Sequence, residues 1–244
     1  MEDQGFLDFR LAMEKVKTNY LESNLSHWSQ GYAADNVESF VFRPYGRILK
    51  PEFGLSGARG EKLLDFGCGA GAALKFFKSK GFDVYGVDIS KIDIARCREK
   101  MPDVKNHFQV IDPKPSKDKI FFKGRFDLTI AIQSLYYLSD DHFKACLARL
   151  YKSMNAGGLI YATMIGKEHY LYRHSKLHGN GLRKVNFSSS RLQVDDHFIN
   201  FTHSKAQLVE KFGIFEKRRV GYYDENYNEN KERNFHYTFI GQKQ

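Results

Sequence analysis

Apolar and polar positions change their rhythm along this chain. Over the first fifty residues they recur at helical spacing: Phe6, Phe9, Met13, Val16 and Tyr20 fall at steps of three and four, one stripe of an amphipathic helix. A second helix is predicted to start at Asp35, with Glu38 at capping-box spacing and Val37, Phe40 and Val41 following; Pro44 should end or kink it. From Lys62 the pattern alternates. Strand-like runs fall at 62–66, 82–87, 107–111, 126–132, 158–165, 214–223 and 233–241, and helical runs at 71–80, 91–100, 141–154 and 205–212. Ser90 with Asp93, and Ser204 with Gln207, stand at helix-capping positions.

Regular β–α alternation predicts a mostly parallel sheet with helices on both faces. The last two strands are separated only by the polar stretch DENYNENKERN, too short for a crossover helix, and so predict an antiparallel hairpin. Residues 166–203 fit neither rhythm. The chain therefore divides into helices over 1–55, an alternating core over 56–165, an insertion over 166–203, and a last helix with the hairpin over 204–244, all in one domain.

Composition narrows the class. Hydrophobic residues make up 42% and charged residues 27% of 244, which predicts a packed globular chain. No apolar window approaches the roughly 18 residues of a membrane span, and the start MEDQGFLDFR has no signal-peptide core. Three scattered cysteines, Cys68, Cys97 and Cys146, predict reduced thiols in a cytoplasmic protein and no zinc site. The formal charge of +9 suits RNA or acidic small molecules, and what matters is where that charge sits.

The stretch LLDFGCGAGAALKFF, residues 63–77, carries the first chemistry. Glycines between a strand and a helix let backbone approach a ligand, and the helix start offers free N–H groups. Gly67, Gly69 and Ala72 satisfy the loose dinucleotide pattern, with Asp88 about twenty residues on to accept ribose hydroxyls. Asp65 argues against a dinucleotide. A carboxylate there is unfavourable beside a pyrophosphate and favourable beside a sulfonium and an ammonium.

LLDFGCGAG followed by VYGVDIS resembles motifs I and II of class I S-adenosylmethionine-dependent methyltransferases. FDLTIAIQSLYYL resembles their fourth strand, and LARLYKSMNAGGLIYATM their following helix, glycine turn and fifth strand. GYAADNVESFVFR and HFINFTHSKAQL are similar to bacterial members associated with surface-polysaccharide genes. The resemblance implies a Rossmann-like, seven-stranded, mostly parallel sheet with a C-terminal antiparallel hairpin, an N-terminal helical lid and an insertion after strand five. It implies S-adenosyl-L-methionine as cofactor. Gly67, Cys68 and Gly69 would run along its methionine and ribose, Asp88 would hold the ribose, Ile89 and Asp112 the adenine, and Ile132 with Gln133 the strand-four side. Tyr32 and Arg43 would cover the methionine end, Arg43 pairing with the cofactor carboxylate.

Residues 131–134 read AIQS, so the motif expected for exocyclic base amines is missing, as are a cysteine for attack on a pyrimidine and an aspartate for Mg²⁺. Metal-independent transfer to a small acceptor follows as the expectation. Where many small-molecule members carry a histidine, this chain has Tyr137, which with Tyr136 would face the acceptor. From His169 to Val194 the insertion carries Arg173, Lys176, Arg183, Lys184 and Arg191 and no acid, which predicts a cap receiving an anionic acceptor such as a charged or nucleotide-linked sugar. Arg173 and His174 are its acceptor-side candidates. His169 is the expected base, with His174 and His203 as alternatives, and O-methylation is the favoured outcome. The competing reading is an RNA or protein methyltransferase that holds its target through the basic insertion.

Overall fold

The computed structural model describes residues 20–29, 31, 36–116, 119–185, 188–189, 192–193, 197–225 and 233–244. Tyr32, Asp35 and the stripe from Phe6 to Val16 lie outside them. Helix α1 covers 20–29, and α2 (Ser39–Pro44) continues through a π-helical turn (Tyr45–Leu49) and an α-helical turn (Lys50–Phe53). The alternating core follows as β1 (Lys62–Phe66), α3 (Ala72–Ser79), β2 (Asp83–Asp88), α4 (Lys91–Lys100), β3 (Phe108–Val110), β4 (Phe126–Ala131), α5 (Asp140–Ser153) and β5 (Met154–Ile165). After the insertion come α6 (Lys205–Lys211), β11 (Glu216–Asp224) and β12 (Phe235–Gln242).

The seven-stranded sheet runs β11-β12-β5-β4-β1-β2-β3. β3, β2, β1, β4 and β5 pair in parallel, and β12 and β11 are antiparallel, as expected of the terminal hairpin. Alternation along each strand divides the core. Leu63, Leu128, Leu159 and Tyr161 pack with Leu49, Phe77 and Ile94 on one face; Leu64, Ile160, Ala162 and Phe239 pack with Phe143, Leu150 and Phe212 on the other. Both serine caps form: Ser90 Oγ accepts from Asp93 N at 3.2 Å, and Ser204 Oγ from Gln207 N at 3.1 Å.

The regular α-helix ends at Pro44, as expected, but the chain stays helical beyond it through the π turn. A proline leaves the carbonyl four residues earlier without its helical donor. That carbonyl belongs to Phe40, and here it accepts the buried Tyr161 hydroxyl at 2.7 Å. The π turn takes up the remaining distortion, and the segment stops at Gly54, whose φ of 69° is left-handed.

The insertion is a small sheet of its own rather than a loop. β6 (Ser175–Gly179), β7 (Leu182–Val185) and β10 (His197–Ile199) form an antiparallel sheet in the order β10-β7-β6, and β8 (Ser188–Ser189) pairs with β9 (Leu192–Gln193). The small sheet is docked on the start of α5. Asp140 N donates to Asn180 O at 3.0 Å, and Asn200 Nδ2 donates to Leu138 O at 3.0 Å and Asp140 Oδ1 at 2.9 Å. Helix α1 locks it from above. Buried Asn24 donates to Tyr137 O (3.0 Å) and Phe198 O (3.1 Å) and accepts from Phe198 N (2.8 Å). Tyr20, the one residue of the N-terminal stripe that is described, donates to Ser139 Oγ at 3.1 Å and also meets His142. No helix among the described residues is long and apolar enough to cross a membrane.

Asn24→Ala should remove all three backbone contacts and leave a buried N–H and carbonyl unsatisfied, at a cost of about 1–3 kcal/mol. Urea unfolding monitored by circular dichroism checks it; unchanged stability would mean that α1 does not clamp the insertion.

Candidate active site

Strand order reverses between β1 and β4, so the loops leaving their carboxyl ends diverge and open a crevice. A cavity of about 370 Å³ occupies it, within the roughly 300–1,000 Å³ usual for small-molecule sites. A cleft of about 470 Å³ lies at the opposite ends of these strands, against Arg59, Glu61 and Asp127, so volume alone does not choose between them. Chemistry does.

The floor is the glycine turn. Gly67 has φ 78°, and a Cβ there would stand 2.4 Å from Ser134 Cβ, so only glycine lets the β1 and β4 loops meet. Gly69 has φ 49°, and a Cβ on it would meet nothing within 4 Å; its open side lines the cavity. Asp88, at the end of β2, orders this turn: Oδ2 accepts from Gly69 N at 2.9 Å and Oδ1 from Ser90 N at 2.8 Å. Burial raises the Asp88 carboxyl, and those N–H donors oppose the shift. Asp65 is more extreme. It is 3% exposed, and burial, with the Asp88 charge second, pushes it up to about 8.

Strand β4 ends in a strained corner. Gln133 has φ 52°, left-handed for a residue with a side chain, and is held there from two sides. Its N–H donates to Thr163 Oγ1 at 2.8 Å and its Nε2 to Tyr223 Oη at 3.0 Å. Tyr223 in turn stacks on Phe40 and on His236. Above the corner, Asn24, Trp28, Asn36, Glu38 and Phe40 descend from the N-terminal helices, Tyr136 and Tyr137 rise from the β4 loop, and Glu225 and Asn234 enter from the hairpin.

Of the residues expected to hold the cofactor, Asp65, Gly67, Cys68, Gly69, Asp88, Ile89, Asp112, Ile132 and Gln133 all line this one cavity, as do Tyr136 and Tyr137. Other expectations are corrected. Arg43 is exposed on α2 and is not among the lining residues, because the helix turns it away from the sheet. Arg173 and His174 also lie outside the lining, the described strands of the insertion being docked on α5. Arg183 is tied down by Ser175, with Nε to its Oγ and Nη2 to its carbonyl, both at 2.7 Å. His203 is exposed, against the edge of Tyr172. His169 does not reach the cavity: it is 5% exposed, its Nδ1 accepts from Leu171 N at 3.1 Å and its Nε2 meets Asn234 Oδ1 at 2.9 Å. Burial lowers it to about 4, so it is neutral with both ring nitrogens engaged.

Sequence reasoning missed Trp28, Ser134, Glu38, Glu225 and Asn234. Glu38 was expected to cap α2 from within; it is the N-cap residue, makes no side-chain cap bond, and lines the cavity instead. Glu225 and Asn234 sat in what looked like a polar turn. The charge is also inverted relative to the chain: among the described lining residues, Glu38, Asp65, Asp88, Asp93, Asp112 and Glu225 face a single guanidinium, Arg149.

Residues 37–213, well over half of the chain, match the family described as "Methyltransferase domain". The chain belongs to that family. It is 31% identical over 146 residues to the O-methyltransferase cnsE of Penicillium expansum, covering 57% of this chain and 51% of that one. It is 30% identical over 131 residues to the ubiquinone biosynthesis O-methyltransferase of Bradyrhizobium sp. (strain ORS 278), covering 54% and 49%. The matches thus span about half the length of these relatives. Its fold is similar to that of an S-adenosylmethionine-dependent methyltransferase of Methanosarcina mazei (TM-score 0.62, 17% identity, 79% and 97% covered). It is also similar to the PH0226 protein of Pyrococcus horikoshii (TM-score 0.61, 20% identity, 87% and 95% covered).

The cofactor of this methyltransferase domain is S-adenosyl-L-methionine, and the cavity fits it. The open glycine turn leaves room for a ligand, and a buried carboxyl such as Asp65 invites a positive group. The sign follows from the shift. An unfolded chain ionises Asp65 near its ordinary value of 3.8, whereas the folded site does so only near 8. Its stabilising contribution is therefore complete below pH 4 and is lost as pH rises to about 8. A cation beside it favours the ionised form, so S-adenosylmethionine should bind with proton release below pH 8 and more tightly as pH rises toward it. Calorimetry in buffers of different ionisation enthalpy checks this; in Asp65→Asn both the release and the slope should vanish.

Proposed function

We propose that this protein transfers a methyl group from S-adenosyl-L-methionine to a hydroxyl of a small acceptor. The observation that carries the reading is the coincidence, in one crevice, of the glycine turn, Asp65 and Asp88 on the β1–β2 side with an aromatic and amide-rich chamber on the β4–β5 side. The two curated relatives described as O-methyltransferases favour oxygen over nitrogen.

When bound, the cofactor supplies a methyl group activated by its sulfonium. The chain's own residues do the rest. Asp88 would accept the ribose hydroxyls while ordering the glycine turn, Ile89 and Asp112 would flank the adenine, and Gly67 to Gly69 would admit the methionine portion. Gln133, braced by Thr163 and Tyr223, marks the boundary between cofactor and acceptor. Trp28, Tyr136, Tyr137 and Phe40 would hold an acceptor ring and exclude water, fixing its oxygen in line. Orientation of this kind is worth effective molarities of about 10⁵–10⁸ M.

The acid-rich lining favours an uncharged or cationic acceptor over the anionic one that the insertion suggested. A sugar of a surface-polysaccharide pathway fits this reading through its hydroxyls, which Asn36 could meet, and not through a negative charge. RNA or protein methylation is the second reading, favoured by the chain's charge of +9. It requires an RNA affinity that falls steeply with salt.

Asp88→Ala should weaken S-adenosylhomocysteine binding at least tenfold, from about 1.5–3 kcal/mol per hydrogen bond lost to a charged group. Unchanged affinity by calorimetry would displace the ribose from Asp88. Methyl transfer should be screened with labelled cofactor on catechol, phenol and a methyl glucoside. Among the described residues no three or more His, Cys, Asp or Glu side chains are grouped to hold a metal ion. We expect EDTA to leave turnover intact; loss with rescue by Mg²⁺ would replace that expectation.

A further inference from the structure

We infer that Glu225 is the group that takes the proton from the acceptor hydroxyl, aimed by Asn234 and, behind it, His169. The inference rests on the methyl-transfer reading above. Glu225 follows directly on β11, two residues beyond Tyr223, so the two project from the same side of the strand. Tyr223 is bonded to Gln133, and Glu225 lines the same cavity, on the side that the proposed function gives to the acceptor.

The orientation of Glu225 is determined by a chain of donors. Leu171 N–H can only donate, so His169 Nδ1 is bare and its proton sits on Nε2. That proton requires an acceptor, so Asn234 turns its Oδ1 to His169 at 2.9 Å. The amide nitrogen of Asn234 then faces Glu225 Oε2 at 3.4 Å, while Ser39 Oγ reaches Oε1 at 3.5 Å. Charge-assisted bonds to a carboxylate are usually about 2.7–2.9 Å, so these long contacts steer Glu225 without neutralising it. His169 itself can accept no proton: one nitrogen already carries it and the other is occupied. Its part is positioning.

The surroundings raise the basicity of Glu225. Burial lifts its carboxyl above the ordinary range, Glu38 on α2 adds to the lift, and Ser39 opposes it. Among the described residues, the other charged groups nearby belong to the hairpin and the insertion. Asp224 pairs with Arg233 at 2.6 Å, Glu168 lies toward Arg233 and Tyr237, and His169 and His236 are held neutral by burial. In the transfer, the acceptor O–H bond breaks and its proton passes to a Glu225 Oε. The freed pair forms the O–CH₃ bond, and the C–S electrons stay on sulfur, leaving S-adenosylhomocysteine and a protonated Glu225.

Two measurements test it. Glutamate side-chain carboxyl ¹³C resonances of the S-adenosylhomocysteine complex should include one that titrates above the ordinary range. It should vanish in Glu225→Gln, move down in Glu38→Gln, and move up in Asn234→Ala. On whichever of catechol, phenol or methyl glucoside the wild type methylates, Glu225→Gln should lower kcat about 100-fold. Its S-adenosylhomocysteine affinity should stay within twofold. The rate should rise with pH through the Glu225 titration, and that limb should shift with the same signs in the other two variants. An ordinary titration of Glu225, or a retained kcat in Glu225→Gln, overturns the inference. Failure of the wild type to bind S-adenosylhomocysteine would instead overturn the methyl-transfer reading itself.

Discussion

The approach of Gly67 to Ser134 is the constraint on which the site depends. The loops after β1 and β4 leave the sheet in opposite directions, and here they touch across a gap that no Cβ could share. Ser134 Oγ closes the contact by donating to Phe66 O at 2.7 Å. With the two loops pinned, the crevice has a fixed floor and divides into a side over β1, β2 and β3 and a side over β4, β5 and the hairpin. Asp88 braces the first through Gly69, and the strained Gln133 braces the second.

Electrostatics then separates the molecule's surface from its interior. The chain is basic, but the cavity is acidic, and burial makes Asp65, Asp88 and Glu225 reluctant to ionise. Asp65, raised to about 8, holds a proton near neutral pH that a cation beside it would displace. The same low polarity that raises Asp65 also strengthens any interaction made with it.

The roof is a joint product of distant segments. Helix α1 reaches the β4 loop and β10 through Asn24, α2 reaches β5 through the Tyr161–Phe40 bond, and the hairpin reaches the insertion through Asn234 and His169.

The sequence by itself determined the parts whose logic is local. From Lys62 on, the strand and helix periods of the core, the serine caps, the glycine turn and Asp88 depend on near neighbours in the chain, and they stand where the pattern put them. Pro44 ends its α-helix as the local rule says, but what satisfies the carbonyl it strands, a hydroxyl more than a hundred residues away, is beyond any local rule. The insertion's strands were illegible because they are short, mix cations with few apolar residues, and are held by contacts with α1 and α5. His169 stands nearest the end of strand five in the sequence, yet tertiary packing buries it and turns it toward Asn234. Glu38 and Glu225 look like ordinary surface acids, and only the meeting of α2 with the hairpin brings them together. Proximity across the sheet, which no local pattern encodes, decided which carboxylates line the cavity.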